Sequence, residues 1–172
     1  MRTIIITVIF ALTVAMAAVA GAADMKLASV DVQKVLVLSN AGKEAKEQLA
    51  LKAGKYENEK NAKEEELKKL KADLEKQSVL LSESARNTKE KDYQQKLKEY
   101  QRFLKDAQDD LQAKNDEFTN KIVEDIVKVI QEYGRKNGYS FIFVKNDSMI
   151  YTDDKSDLTD EILKLFNETK KK

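Results

Sequence analysis

LKKLKADLEKQSVLLSESARNTKEKDYQQKLKEYQRFL, residues 67–104, decides the architecture. Leu67, Leu70, Leu74, Gln77 and Leu81 alternate spacings of three and four, which is a heptad seam. A second seam runs through Tyr93, Leu97, Tyr100, Leu104, Ala107, Leu111, Lys114 and Phe118. Between them the residues from Ser82 to Asp92 are nearly all polar. Ser82, Ser84, Asn87 and Thr88 compete for backbone hydrogen bonds and suit caps and turns. One helix from Lys34 to Lys136 would be about 150 Å long. The polar stretch instead predicts a turn within 82–92. Two arms of about 70 Å then fold back on each other as an antiparallel helical hairpin.

The first seam continues backwards through Lys63, Lys60, Tyr56, Ala53 and Leu49. Leu67, Leu70, Leu74, Leu97, Leu104 and Leu111 are read as the seam that holds the two helices together. Leu51, Val79, Leu80 and Phe103 fall outside the rows. Single exposed apolar residues are ordinary, but Val79-Leu80-Leu81 are contiguous near the expected turn. Val79, Leu80 and Phe103 are therefore the candidate partner contacts of the arm.

Working outward, the pattern widens after Phe118. Ile122, Val123, Ile126, Val127, Val129 and Ile130 cover more of the helix than a two-stranded seam needs, so the base of the return helix enters a core. Asn137-Gly138 closes that helix, with Gly138 suited to a left-handed C-terminal cap. Tyr139–Lys145 reads as a strand with both faces covered. Asn146-Asp147 reads as a hairpin turn and Ser148–Thr152 as the returning strand. Thr159 reads as the N-cap of a last helix, with Leu158 and Leu163 as its hydrophobic staple. At the other end, Lys26–Val32 alternates like a strand.

The expected fold is therefore α+β, mostly α, with a long antiparallel helical-hairpin arm projecting from a small β body. The body is formed by 24–33 and 137–172, and the arm by 34–136. The expected core of the body and of its contacts with other copies is Ala28, Val30, Val32, Ile126, Val129, Ile130, Phe141, Ile142, Phe143, Val144 and Ile150. Three short strands bury little surface, so self-association through the β region is expected.

Composition narrows the function. The chain has no His, Cys or Pro. That removes the commonest general base and the commonest zinc ligands, and no disulfide framework is available. No Gly-rich phosphate loop is present. The Asp153-Asp154 pair near Asp157 reads as a solvated acidic loop rather than a cation site. No catalytic or metal residue and no cofactor is expected, and the chain is not read as an enzyme.

Residues 1–23 read as a cleaved secretory signal peptide. Arg2 precedes an uncharged apolar run from Ile4 to Val19, and small residues follow at Ala20-Gly21-Ala22. Residues 24–172 then form a single exported domain that is not membrane-integral. Arg2 is the only charge in the leader, so the remainder has acidic and basic residues in balance and nucleic-acid binding is not indicated.

Three segments together carry a family resemblance. They are Leu27-Ala28-Ser29-Val30-Asp31-Val32-Gln33-Lys34, then Asn137-Gly138-Tyr139-Ser140-Phe141-Ile142-Phe143-Val144 with Ile150-Tyr151, then Asp157-Leu158-Thr159-Asp160-Glu161-Ile162. Flanking a long charged helical middle behind a leader, they resemble the Skp/OmpH family of periplasmic chaperones. The resemblance implies a homotrimer in which a β-barrel body carries three arms around a cavity for unfolded outer-membrane proteins, without ATP. Val79, Leu80 and Phe103 become candidate client contacts. Asp106, Asp109, Asp110 and Asp116 interrupt the basic character of the return arm, so a lipopolysaccharide site is not carried over. The competing reading is a coiled-coil envelope scaffold with no client-holding activity.

Overall fold

The computed structural model describes residues 25–77 and 82–169. The leader 1–23, Val79, Leu80 and Leu81 lie outside them. The element order is β1 (Leu27–Val30), α1 (Val32–Leu38), α2 (Asn40–Gln77), α3 (Glu83–Lys136), β2 (Phe141–Val144) and α4 (Thr159–Thr169), with a single 3-10 turn at Asp154–Ser156.

The arm is the expected antiparallel hairpin, and its return helix begins within the polar stretch. Helix α3 already starts at Glu83, and Ser82 is its N-cap, with its side chain accepting from the Ala85 N–H. One hydroxyl at the cap position was enough. The charged residues behind it (Arg86, Lys89 and Glu90 among them) are good helix formers. Helix α3 has 54 residues and is about 80 Å long. Helix α2 has 38 residues and is about 57 Å long.

The outgoing side is jointed, which the sequence pattern did not indicate. The strand stops at Val30 because Asp31 caps a helix, its Oδ1 accepting from the Lys34 N–H at 2.8 Å. Val32 and Val35 thereby turn into the core on α1. At Ser39 the chain breaks and restarts. The buried Ser39 hydroxyl donates to the Leu36 carbonyl and accepts from the Gly42 N–H, both at 3.0 Å. A Cβ on Gly42 would lie 1.9 Å from that Leu36 carbonyl oxygen, so only glycine fits this joint.

The return side is continuous from turn to body. Asn137 caps α3 by donating its N–H to the Tyr133 carbonyl, and Gly138 takes the left-handed conformation at φ 69°, as its position predicted. The chain reverses into β2, which pairs in parallel with β1 in the register Leu27 with Phe141 through Val30 with Val144. Gly134 lets β2 approach the helix, because a Cβ there would meet Ile142 Cδ1 at 3.1 Å.

The expected third strand is absent among the described residues. The sheet has two strands, and Ser148–Thr152 is irregular, with Ile150 98% exposed. The outer edge of β2, where that hairpin strand would pair, is open among the described residues, while Asp157 takes the far edge of β1. It bridges Ser29, and the Leu158 N–H donates to the Ser29 carbonyl at 2.9 Å. Thr159 is likewise no N-cap: it opens α4, and the Leu158 carbonyl accepts the Ile162 N–H. The Thr159 hydroxyl instead accepts from the Asp31 N–H at 2.9 Å and donates to Asp157.

Burial raises the Asp157 carboxyl's affinity for a proton, but hydrogen bonds from Thr159 and Lys145 outweigh it and hold the group below its ordinary value. The acidic loop is thus accounted for structurally. Asp157 pairs with Lys145 at 2.9 Å, and Asp153 caps the 3-10 turn.

The core joins β1, α1, the base of α3 and α4. Val30, Val35, Ile126 and Ile162 are fully buried, and Phe166 nearly so. Ala28 and Val32 belong to it, and Val129, Ile130 and Ile142 pack against it half-buried. Phe141 (54% exposed), Phe143 (48%), Val144 and Ile150 do not lie in the core of the single chain. These four belong to the part of the expected core that self-association was to cover. One chain has no second layer to lay over β2.

The two glycines of α2 give opposite predictions. Gly42→Ala is expected to lower stability by about 1–3 kcal/mol through overpacking against backbone. Gly54 has nothing within 4 Å of its added Cβ, so Gly54→Ala should raise stability by about 1 kcal/mol. Urea unfolding followed by far-UV circular dichroism at one protein concentration checks both.

Candidate functional site

The arm is built on a narrow contact between α2 and α3. Leu67, Leu70, Leu74, Leu97 and Leu111 are half-buried along it, and Ala107 is buried. Lys60 and Lys63, which look misplaced on a seam, are half-buried as well. Each lays its stem along the helix pair and keeps its ammonium outside. Lys60 pairs with Glu57 at 2.9 Å, and Lys63 stands 5.3 Å from the Phe103 ring centre.

Phe103 was assigned off the seam and Leu104 on it. The structure places Phe103 half-buried, edge-on to Tyr56 with ring centres 6.0 Å apart, while Leu104 is 39% exposed. Both choices keep heptad spacing between Tyr100 and Ala107, so period alone does not separate them. The aromatic ring packs edge-on to Tyr56 and takes the inward place.

A polar brace secures this level of the arm. Asp110 accepts from the Tyr56 hydroxyl at 2.8 Å and pairs with Lys52 at 2.5 Å. The Tyr100 hydroxyl donates to Glu64, and Lys96 pairs with Glu66 at 3.2 Å. The Lys52 and Tyr56 hydrogen bonds hold the Asp110 carboxyl below its ordinary value. The same carboxylate raises both Lys52 and Tyr56 through their hydrogen bonds. These groups are solvent-accessible, so each link is modest.

Beside the brace, one flank of the arm opens into a groove. A hollow of about 640 Å³ has Leu49, Ala53, Phe103 and Leu111 on its floor and walls. A second hollow, of about 200 Å³, lies toward the body under Leu36, Ala45 and Phe118. Leu49 and Asn115 line both, so the two adjoin along the arm. The rows read from the sequence held Leu49 and Ala53 only as seam residues. The signal for a groove was the run of small residues Ala45, Ala50 and Ala53, which leaves space where a leucine would close it.

The body offers a second apolar surface. Phe141 and Phe143 stack with ring centres 6.0 Å apart, beside the exposed Leu27. Among the described residues, nothing pairs with the outer edge of β2. No described helix is long and apolar enough to cross a membrane.

The brace has a pH signature. Asp110 has a depressed value, so its contribution is complete above the ordinary 3.8 and is lost as pH falls through its lower folded value. Lys52 and Tyr56 are raised, so theirs persist until pH rises through folded values above 10.5 and 10.0. Amide-exchange protection of 52–60 and 103–114 should therefore be flat from about pH 5 to pH 9. Asp110→Asn should lower that plateau and remove its acid edge.

Comparison with known proteins agrees with this geometry. A family model described as outer membrane protein (OmpH-like) matches residues 26–166. No curated protein matches the chain. Among solved structures, that of a candidate outer membrane chaperone (OmpH-like) from Caulobacter crescentus CB15 superposes with a TM-score of 0.79. It is 15% identical, and the match covers 87% of this chain and 88% of that one. At that identity the likeness speaks for the fold. The family match runs from β1 through α4, across the arm and both halves of the body, and on it the chain belongs to the OmpH-like family.

Proposed function

We propose that this protein is an ATP-independent holding chaperone of the bacterial periplasm, which binds unfolded outer-membrane β-barrel proteins and keeps them from aggregating. The leader 1–23 is removed on export, and the remainder works as a homotrimer. The observation that carries this reading is the division of the chain into a long, charge-covered arm with an apolar flank and a body with uncovered apolar strand residues. The arm supplies contact surface over a length no compact core needs. The body supplies the means to gather several arms together.

Assembly is supported by β2. Its Phe141, Phe143 and Val144 are about half exposed, and its outer edge is open. A strand edge flanked by aromatic side chains is a ready template for pairing, and burying it against copies of itself gives a closed arrangement. Ile150 and Tyr151, both strongly exposed, add apolar surface to that proposed core.

Client holding rests on weak contacts spread over several arms. Each gains from the others by effective concentration, and a client that stays mobile loses little entropy. Val79 and Leu80, in the segment between Gln77 and Ser82, and Phe103 belong to the proposed contact set. Release follows when the client folds into the membrane.

Two measurements test the proposal. An unfolded outer-membrane β-barrel protein diluted out of urea should stay in solution when the leaderless chain is present, by light scattering. Replacing Val79 and Leu80 by serine should weaken that protection. Unchanged aggregation in the presence of the folded chain sinks the chaperone reading and favours the coiled-coil scaffold. Separately, Phe141→Glu with Phe143→Glu should convert a trimer to monomers in sedimentation equilibrium while helicity is retained. A wild-type chain that sediments as a monomer removes the trimer from the proposal.

A further inference from the structure

We infer that the groove formed by the two adjoining hollows on the arm's flank is a seat for one strand-length, uncharged segment of the unfolded client, with its apolar side chains alternating. The inference rests on the chaperone reading and adds to it the place and form of contact. Its geometry comes first. The groove is lined by α2 from Gly42 to Lys60 and by α3 from Phe103 to Ile122. Eighteen helical residues span about 27 Å, which accepts about eight residues of extended chain. A membrane-spanning β-strand has about nine to eleven residues, so the groove takes most of one strand and little more.

The lining chemistry fits the same occupant. The floor is apolar and uneven, with Ala45 and Ala53 set between the larger Leu49 and Leu111. Such a floor receives separate side chains rather than a flat surface. In an extended segment, side chains facing the floor recur at every second residue, and those between them face water. That is the pattern of a barrel strand, apolar on one side and polar on the other.

The rim bears on the client's backbone. Gln108, Gln112 and Asn115 recur at four and three residues on α3, so they stand in one row along the groove. Primary amides both donate and accept, which matches the N–H and C=O groups of a strand that has not yet found its neighbours. Gln112 already donates to Asp116 at 2.9 Å, and its carbonyl is held facing a fixed direction by that bond. Charge is muted at the outer end, where Glu57 and Lys60 pair with each other, leaving Lys46 toward the body. A segment rich in one sign of charge gains little there.

A second copy of this chain is a less suitable occupant. The exposed strand residues that suit self-association, Phe141 and Phe143, lie in the body and line neither hollow. The groove runs away from them along the arm.

The test uses the full leaderless chain with a photo-crosslinking residue at Gln108 or, as control, at the exposed Lys105, which lines neither hollow. An unfolded outer-membrane β-barrel protein is diluted from urea onto it, and light scattering and crosslinked positions are read together. The expected result is suppressed aggregation with crosslinks from Gln108 at least about tenfold over those from Lys105. A tenfold excess is the yield of about 1.4 kcal/mol of preference. The attached client residues should fall in alternating strand segments. Ala53→Trp, which fills the groove, should remove the excess, and Lys55→Trp on the exposed surface should not. Suppressed aggregation with equal crosslinking from both positions overturns the groove and leaves the chaperone reading standing. Loss of the excess in both tryptophan variants also overturns it. Failure to suppress aggregation overturns both.

Discussion

The parallel pairing of Leu27–Val30 with Phe141–Val144 is the constraint on which the rest of the molecule depends. It joins the two ends of a loop more than a hundred residues long. For a flexible chain of that length, the logarithmic part of the closure entropy costs about 4 kcal/mol. Parallel strands also need a crossover connection rather than a tight turn. Here the crossover is the arm itself. Two helices that pack antiparallel hold β1 and β2 at the same end of the arm, which reduces the cost of closing the loop. The core of Val30, Val35, Ile126, Ile162 and Phe166 then offsets the remaining cost of closure.

β1 occupies the centre of this arrangement. One edge pairs with β2 and the other receives Asp157 and Leu158, while Asp31 at its end is tied to Thr159. Strand β2, the segment around the 3-10 turn and the C-terminal helix therefore meet at β1 and the residue after it. The C-terminal helix also reaches the joint of the arm, because Asn167 accepts from the Asn40 N–H at 2.8 Å. The arm is anchored unequally: α3 runs unbroken into the core, whereas α2 is attached through the glycine-dependent joint at Ser39–Gly42. Local stability should fall from body to turn, since buried apolar contacts are concentrated at the base and the distal arm has a half-buried seam with exposed ion pairs.

The same economy shapes the surface. An arm with a wide apolar stripe would pack more tightly, but it would leave nothing open for a partner. Small residues on α2 hold the helices close enough to brace through Tyr56, Asp110 and Lys52, yet leave the flank hollow. Charged residues elsewhere keep a long, thin structure in solution. A bound apolar segment would lie within reach of those charges without neutralising them.

Local patterns in the chain determined the elements whose causes are local. Heptad spacing determined the two arm helices, the wider apolar face after Phe118 determined which end enters the core, and Gly138 determined how α3 stops. The end motifs, through their likeness to a known family, located the body. Tertiary structure decided whatever depended on competition between distant groups. Asp157 gained the free edge of β1, because its side chain also satisfies Thr159 and Lys145, while among the described residues Ser148–Thr152 left the outer edge of β2 unpaired. Phe103 rather than Leu104 faced inward, because the ring of Tyr56 lay opposite. The break at Ser39 and the groove along the flank arose in the same way. Period and propensity describe one helix at a time, whereas a joint or a hollow exists only between two surfaces once they have met.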